Sequence, residues 1–284
     1  MEASLESHGV EGGGRIVADP DRRGTLLKYK ADRGAIVFVL AVLALRLLLL
    51  GLGTPLACAV AVVPLAVLGM FIAPINHHHQ HVNSFRAAWL NRLYDLALAV
   101  QCGVGPYSWV LHHNLGHHVN YLNQPPHERP DESRWTRSDG EQMGRLEYSI
   151  VMLLHHQKDI LRIGLRHPKY LRHWLLMKLP LWGLLGVGLW LRPLETALLF
   201  LIPSFLTLCH TIWATYEHHA GCIPSGHFDA SRNRVNRIYN VLTGNLGLHT
   251  AHHKRPGLHW SLLPELHERI RHRIPQEQIL ETFW

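Results

Sequence analysis

The sequence predicts an all-α integral membrane fold, with four transmembrane helices in two hairpins and a cytoplasmic helical cap that carries clustered histidines. Three observations predict it. Apolar stretches long enough to cross a hydrocarbon core of about 30 Å occur as two closely spaced pairs. The basic residues largely avoid those stretches. Histidine is in excess, with 24 copies against 21 acidic residues in 284, and packing alone gives no reason for so many half-polar rings.

Taken in order, residues 1–33 are Gly-rich and charged and lack the short apolar core and cleavage site of a secretory signal, so they read as a mobile cytoplasmic tail. Residues 34–284 read as one membrane domain. Its first hairpin is formed by residues 34–52 and 55–73, interrupted only by Arg46 and joined by Gly53 and Thr54. Residues 173–191 and 194–214 form the second, joined at Arg192 and Pro193, with Lys178, Pro180 and Pro203 inside. Lys178 is placed to snorkel to the interface, and the prolines to kink or open their helices.

Between the hairpins, residues 89–110 are apolar but broken by Asn91, Arg92, Asp95, Gly103, Gly105 and Pro106, which suits a partly buried or re-entrant helix. Residues 125–140 have loop composition. From residue 142 to 166 apolar side chains such as Leu146, Ile150, Leu153, Ile160 and Leu161 recur at helical spacing, as in a helix lying on the cytoplasmic face.

Of the Lys and Arg residues, all but Arg46, Lys178 and Arg192 lie before, between or after the hairpins. The positive-inside rule then puts both termini and the middle segment in the cytoplasm, an inner membrane of bacterial type being the expected location. The net charge of +7 fits this topology and attraction to anionic membrane lipids. It also suits docking of an acidic electron carrier. No separate basic module is present, which argues against nucleic acid. Cys58, Cys102, Cys209 and Cys222 lack any C-x-x-C spacing, so neither a thiolate zinc site nor a fused iron-sulfur or rubredoxin module is encoded.

The histidines fall in four clusters. In NHHHQH, His77 and His81 are four apart and share a helical face, with His78 and His79 as bystanders. In HHNLGHH, His113 and His117 face alike on an α-helix and can share a metal, whereas His118 points about 100° away, towards a second metal or the other side of the same one; His112 is spare. In YEHHAG either His218 or His219 is a candidate ligand, with Glu217 as a supporting or bridging carboxylate. In LHTAHH the rings of His249, His252 and His253 fall within about 100° of arc. Nine imidazoles at one membrane depth exceed what one ion accepts, and imply two metals. Asp95 is expected to hydrogen-bond a ligand ring, Asn245 to orient His249, and His210 to line a channel or support a ligand.

The order H-x-x-x-H, H-x-x-x-H-H, E-H and H-x-x-H-H across two hairpins resembles the integral-membrane fatty acid desaturase and alkane hydroxylase superfamily, over residues 34 to 260 or so. The resemblance implies a non-haem di-iron centre, two iron ions held by His77, His81, His113, His117, His118, His249, His252 and His253. The family's further ligand corresponds best to His218, because Glu217, His218 and Gly221 meet its pattern; the chain departs from it at His219 and Ala220. The stretch HERPDESRW also resembles the segment that follows the second box in relatives.

The resemblance implies an enzyme that uses dioxygen to remove hydrogen from a fatty acyl or related alkyl chain. Loss of a second neighbouring hydrogen gives desaturation, the leading expectation. Hydroxylation, alkyne formation and oxidative decarboxylation are the alternatives. Electrons are expected from a separate ferredoxin- or rubredoxin-type carrier with its NAD(P)H reductase. A membrane metal transporter is the remote rival, since the spans hold few polar residues beyond Arg46, Lys178 and His210.

Overall fold

A computed structural model of the protein describes residues 26–124 and 133–283. Most of the expected tail, and residues 125–132 of the expected loop, lie outside the described residues. Helix α1 (Asp32–Leu52) ends where the Gly53 N–H closes on the Leu49 carbonyl at 2.8 Å. Thr54 then caps α2 (Pro55–His81) by accepting from the Ala57 N–H, and Pro55 fits the first turn, where no N–H is needed. Helix α2 therefore runs on past the expected end at residue 73 and carries the first histidine cluster on unbroken helix.

Helix α3 (Ala88–Cys102) ends well before the apolar stretch at 89–110 does. It stops at Gly103, whose φ of 74° is left-handed and whose missing Cβ would meet the Ser204 carbonyl oxygen at 2.5 Å. A π-helical segment, Val110–His117, leads into α4 (His118–Asn120). The amphipathic α5 (Arg145–Arg166) and the apolar α6 (Pro168–Leu191) follow. The last long apolar helix spans Pro193–His218 as α7 (Pro193–Thr196), a π turn (Ala197–Leu201), α8 (Ile202–Thr215) and a 3-10 turn (Tyr216–His218). Beyond it lie β1 (Asn233–Arg234), α9 (Arg237–Thr243), α10 (His249–Lys254), α11 (Leu263–Ile270) and β2 (Ile279–Leu280), the two short strands pairing in parallel with Asn233 opposite Ile279.

Four helices, Asp32–Leu52, Pro55–His81, Pro168–Leu191 and Pro193–His218, are long and apolar enough to cross a membrane. Their outward residues are large and apolar, among them Leu48, Leu56, Leu179 and Trp190, as lipid contact requires. Arg46, which interrupts α1, is fully buried. It donates to the backbone carbonyl of Leu199 in the π turn and to that of Leu65 at 3.1 Å, so its charge is met by carbonyl dipoles. Lys178 turns its ammonium over the ring of Trp174, 3.5 Å from the centroid. Helices α2 and α8 approach closely at Gly69, where a Cβ would stand 2.2 Å from Thr207 Oγ1, while that hydroxyl donates to the Ala66 carbonyl.

Candidate metal centre

The four histidine clusters converge. His77 and His81, on one face of α2 as their spacing predicts, meet His113 and His252; His117, His219, His249 and His253 form a second group. Within each group the ligand nitrogens lie within 4.8 Å of one another. His118 Nε2 lies 3.0 Å from Nε2 of both His113 and His252, which adds it to the first group.

The second cluster divides differently from the α-helical expectation. His113 and His117 go to different groups, and His113 is joined by His118 instead. The backbone gives the reason. Val110–His117 is π-helical, and the His118 N–H closes on the carbonyl of His113, five residues back. A wider turn brings residues five apart onto one side, so His118 lies beneath His113 and His117 turns to the other group. The last cluster is shared as well, His252 with the first group and His249 with His253 in the second.

His219, and not His218, enters the second group. The last span ends in a 3-10 turn at His218, and His219 leaves helical geometry with φ −130°. Its Nδ1 lies 2.7 Å from the Ala230 carbonyl. A carbonyl can only accept, so Nδ1 carries the proton and Nε2 presents its lone pair to the group. His218 is left stacked on His249, with ring centroids 4.0 Å apart.

The nitrogen contacts fit shared cations. Nε2 of His77 is 2.9 Å from that of His252, and Nε2 of His219 lies 3.1 Å from His117 and 3.2 Å from His249. Nitrogens about 2.1 Å from one ion and at right angles stand about 3.0 Å apart. Hydrogen bonds alone do not explain the pattern. One ring nitrogen offers a single proton or a single lone pair, yet Nε2 of His252 faces two such neighbours and Nε2 of His219 faces two more. His81 Nε2 is buried and has no hydrogen-bond partner among the described residues. Burial, then the neighbouring imidazoles, hold His113, His249, His252 and His253 well below 6.5. These rings are thus neutral near pH 7, the form that binds metal.

Other expected residues stand elsewhere. Asp95 receives the Gln80 amide at 2.6 Å and the Arg92 guanidinium at 2.8 Å, and the ring nearest to it is His79, at 3.4 Å, rather than one from either group. Glu217 is held by Arg145 and Arg234, not by an imidazole. Asn245 sits at φ 65° and donates to the Trp260 carbonyl at 3.1 Å, so it does not orient His249. His78 lies outside both groups, its Nε2 3.1 Å from the Thr243 carbonyl. Three rings that the histidine pattern does not single out wall the groups: Trp109 beside His77 and His113, Trp135 stacked on His219, and Tyr121 against His253. Tyr121 is four residues beyond His117, and that spacing is the one signal the sequence holds for it.

Against protein-family models, the one described as Fatty acid desaturase matches residues 53–283. The chain belongs to the fatty acid desaturase family. No curated protein and no solved structure matches it. The family match and the four long apolar helices make this desaturase-family chain an integral membrane oxidoreductase. A cavity adjoins the imidazole groups. A space of about 430 Å³ is lined by Met70 and Phe71 of α2, Leu208 and Ile212 of α8 and Met152 of α5, and it reaches His77, His113, His117 and His249. His210 lines it too.

Proposed function

We propose that the protein is a membrane-bound non-haem di-iron oxidoreductase that desaturates a fatty acyl or related alkyl chain, using dioxygen and electrons from a separate carrier. The observation that carries this reading is the apolar cavity running from the membrane-spanning helices to two adjoining imidazole groups. His77, His81, His113, His118 and His252 would hold one iron, and His117, His219, His249 and His253 the other. Iron bound there supplies the activation of dioxygen needed to take hydrogen from an unactivated methylene.

The rest falls to the protein. Met70, Phe71, Leu208 and Ile212 accept methylenes and keep water out, which fixes the carbon presented to the imidazole groups. Trp135, stacked 4.9 Å from His219, and the Ala230 carbonyl hold that ring in one orientation. The distribution of basic residues supports a cytoplasmic site and cytoplasmic termini. Electrons would come from a ferredoxin- or rubredoxin-type protein with its NAD(P)H reductase.

Lipids from cells expressing the protein with such a reductant, compared by mass spectrometry with cells expressing His113→Ala, test the reading. Desaturation predicts acyl chains lighter by two hydrogens in the first sample alone. Chains heavier by one oxygen would replace desaturation by hydroxylation. Purified protein holding zinc alone after growth in ample iron would overturn the oxygenase reading.

A further inference from the structure

Tyr121 stands apart from the cavity but against the second imidazole group. Its side chain is buried, with 3% of its surface exposed, and its ring centroid lies 4.3 Å from that of His253 and 6.1 and 6.2 Å from those of His117 and His219. Its hydroxyl reaches the other way, to Nδ1 of His227 at 2.6 Å. His227 is exposed. The pair thus forms a path from the group to solvent that does not touch the space assigned to substrate.

We infer that Tyr121 and His227 form an escape route for oxidising equivalents when the oxygen-activated centre meets no substrate. The inference rests on the di-iron reading. In this step Tyr121 gives one electron to the centre and its phenolic proton to Nδ1 of His227, leaving a neutral phenoxyl radical and an imidazolium. A one-electron reductant from solution, such as ascorbate or a reduced iron-sulfur carrier, then returns the electron to the ring, and the proton moves back along the same hydrogen bond. Charge and atoms balance in both halves.

The neighbouring aromatic rings single out this pair. Oxidising a phenol or an indole is eased when a base takes the proton that the oxidised ring releases. Trp135 Nε1 donates to the Cys222 carbonyl at 3.3 Å, and an amide oxygen is no such base. Trp109 Nε1 has no hydrogen-bond partner among the described residues. Among the described residues, Tyr121 alone combines ring contact with the imidazole groups and a hydrogen bond to an exposed imidazole.

Iron-loaded protein, reduced and freeze-quenched after mixing with oxygen in the absence of substrate, tests this by electron paramagnetic resonance. A radical signal whose hyperfine pattern narrows with ring-deuterated tyrosine is expected, and it should be lost in Tyr121→Phe at unchanged iron content. In His227→Gln, which keeps an acceptor but not a base, the signal should form more slowly. Peptide mass spectrometry should then find more oxidised Trp109, Trp135 and ligand histidine in both variants than in the parent protein. An identical radical in Tyr121→Phe, or no radical in the parent and equal damage in all three, would overturn the route while leaving the di-iron reading in place. A parent protein that takes up no redox metal would bring down both.

Discussion

At the scale of single residues, the site depends on which nitrogen of each ring is free. The Ala230 carbonyl fixes the His219 tautomer, whereas His218, one residue earlier, spends its ring on stacking. His219→Ala is therefore expected to lose metal from purified protein, and His218→Ala to retain most of it, measured as iron per chain by plasma mass spectrometry. A second expectation concerns pH. Burial, then neighbouring imidazoles, hold His113, His249, His252 and His253 well below 6.5 in the folded chain. Below about 6.5 the unfolded chain then binds more protons than the folded one, so the metal-free protein loses stability as pH falls through that window. Thermal unfolding in detergent at a series of pH values measures it; a midpoint that does not move would contradict it. The His77 and His81 pair was legible because ordinary α-helical spacing governs it. The choice between His218 and His219 was not, because a tightened last turn and a carbonyl eleven residues away decide it.

At the scale of elements, the π-helical stretch sorts three histidines between two groups. Inserting one alanine after Leu115 would set His113 and His118 six apart, a spacing that shares a face on neither an α nor a π turn, and so swing His117 and His118 away from their groups. The variant is expected to keep its helix content by circular dichroism and to lose metal. No pattern of apolar residues signals a π turn, so the sequence led to an α-helix here and to the wrong partner for His113. The apolar spans were legible from length and composition alone. Their contact was not: Gly69 looks like any glycine in an apolar run until Thr207 is found against it. Gly69→Val should push α2 from α8 and cost about 1 to 3 kcal/mol, the usual penalty of overpacking, read as a lower unfolding temperature. Arg46 is the converse case. Arg46→Ala leaves the buried carbonyls of Leu199 and Leu65 without their donor, a loss of about 3 kcal/mol or more by the value of charged hydrogen bonds.

At the scale of the whole molecule, the cavity links the long apolar helices to the imidazole groups between largely apolar walls, and on the proposed function those walls set what chain can enter. Met70→Trp fills part of that space and should shift products towards shorter chains or towards a different position of attack, read by gas chromatography of the acyl pool. Unchanged products would place the substrate elsewhere. The presence of such a space followed from the chemistry implied by the histidines, but its route between α2, α5 and α8 required the packing of helices far apart in sequence.

The interleaving of the histidines also bears on biosynthesis. His252 belongs to the first group, and its near neighbours His249 and His253 belong to the second. Neither group is complete until residues 249–253 have left the ribosome and folded back against helices already in the bilayer. On the proposed function, a metal that needs a whole group is therefore acquired late, and a nascent chain truncated before α10 has no finished group to receive one.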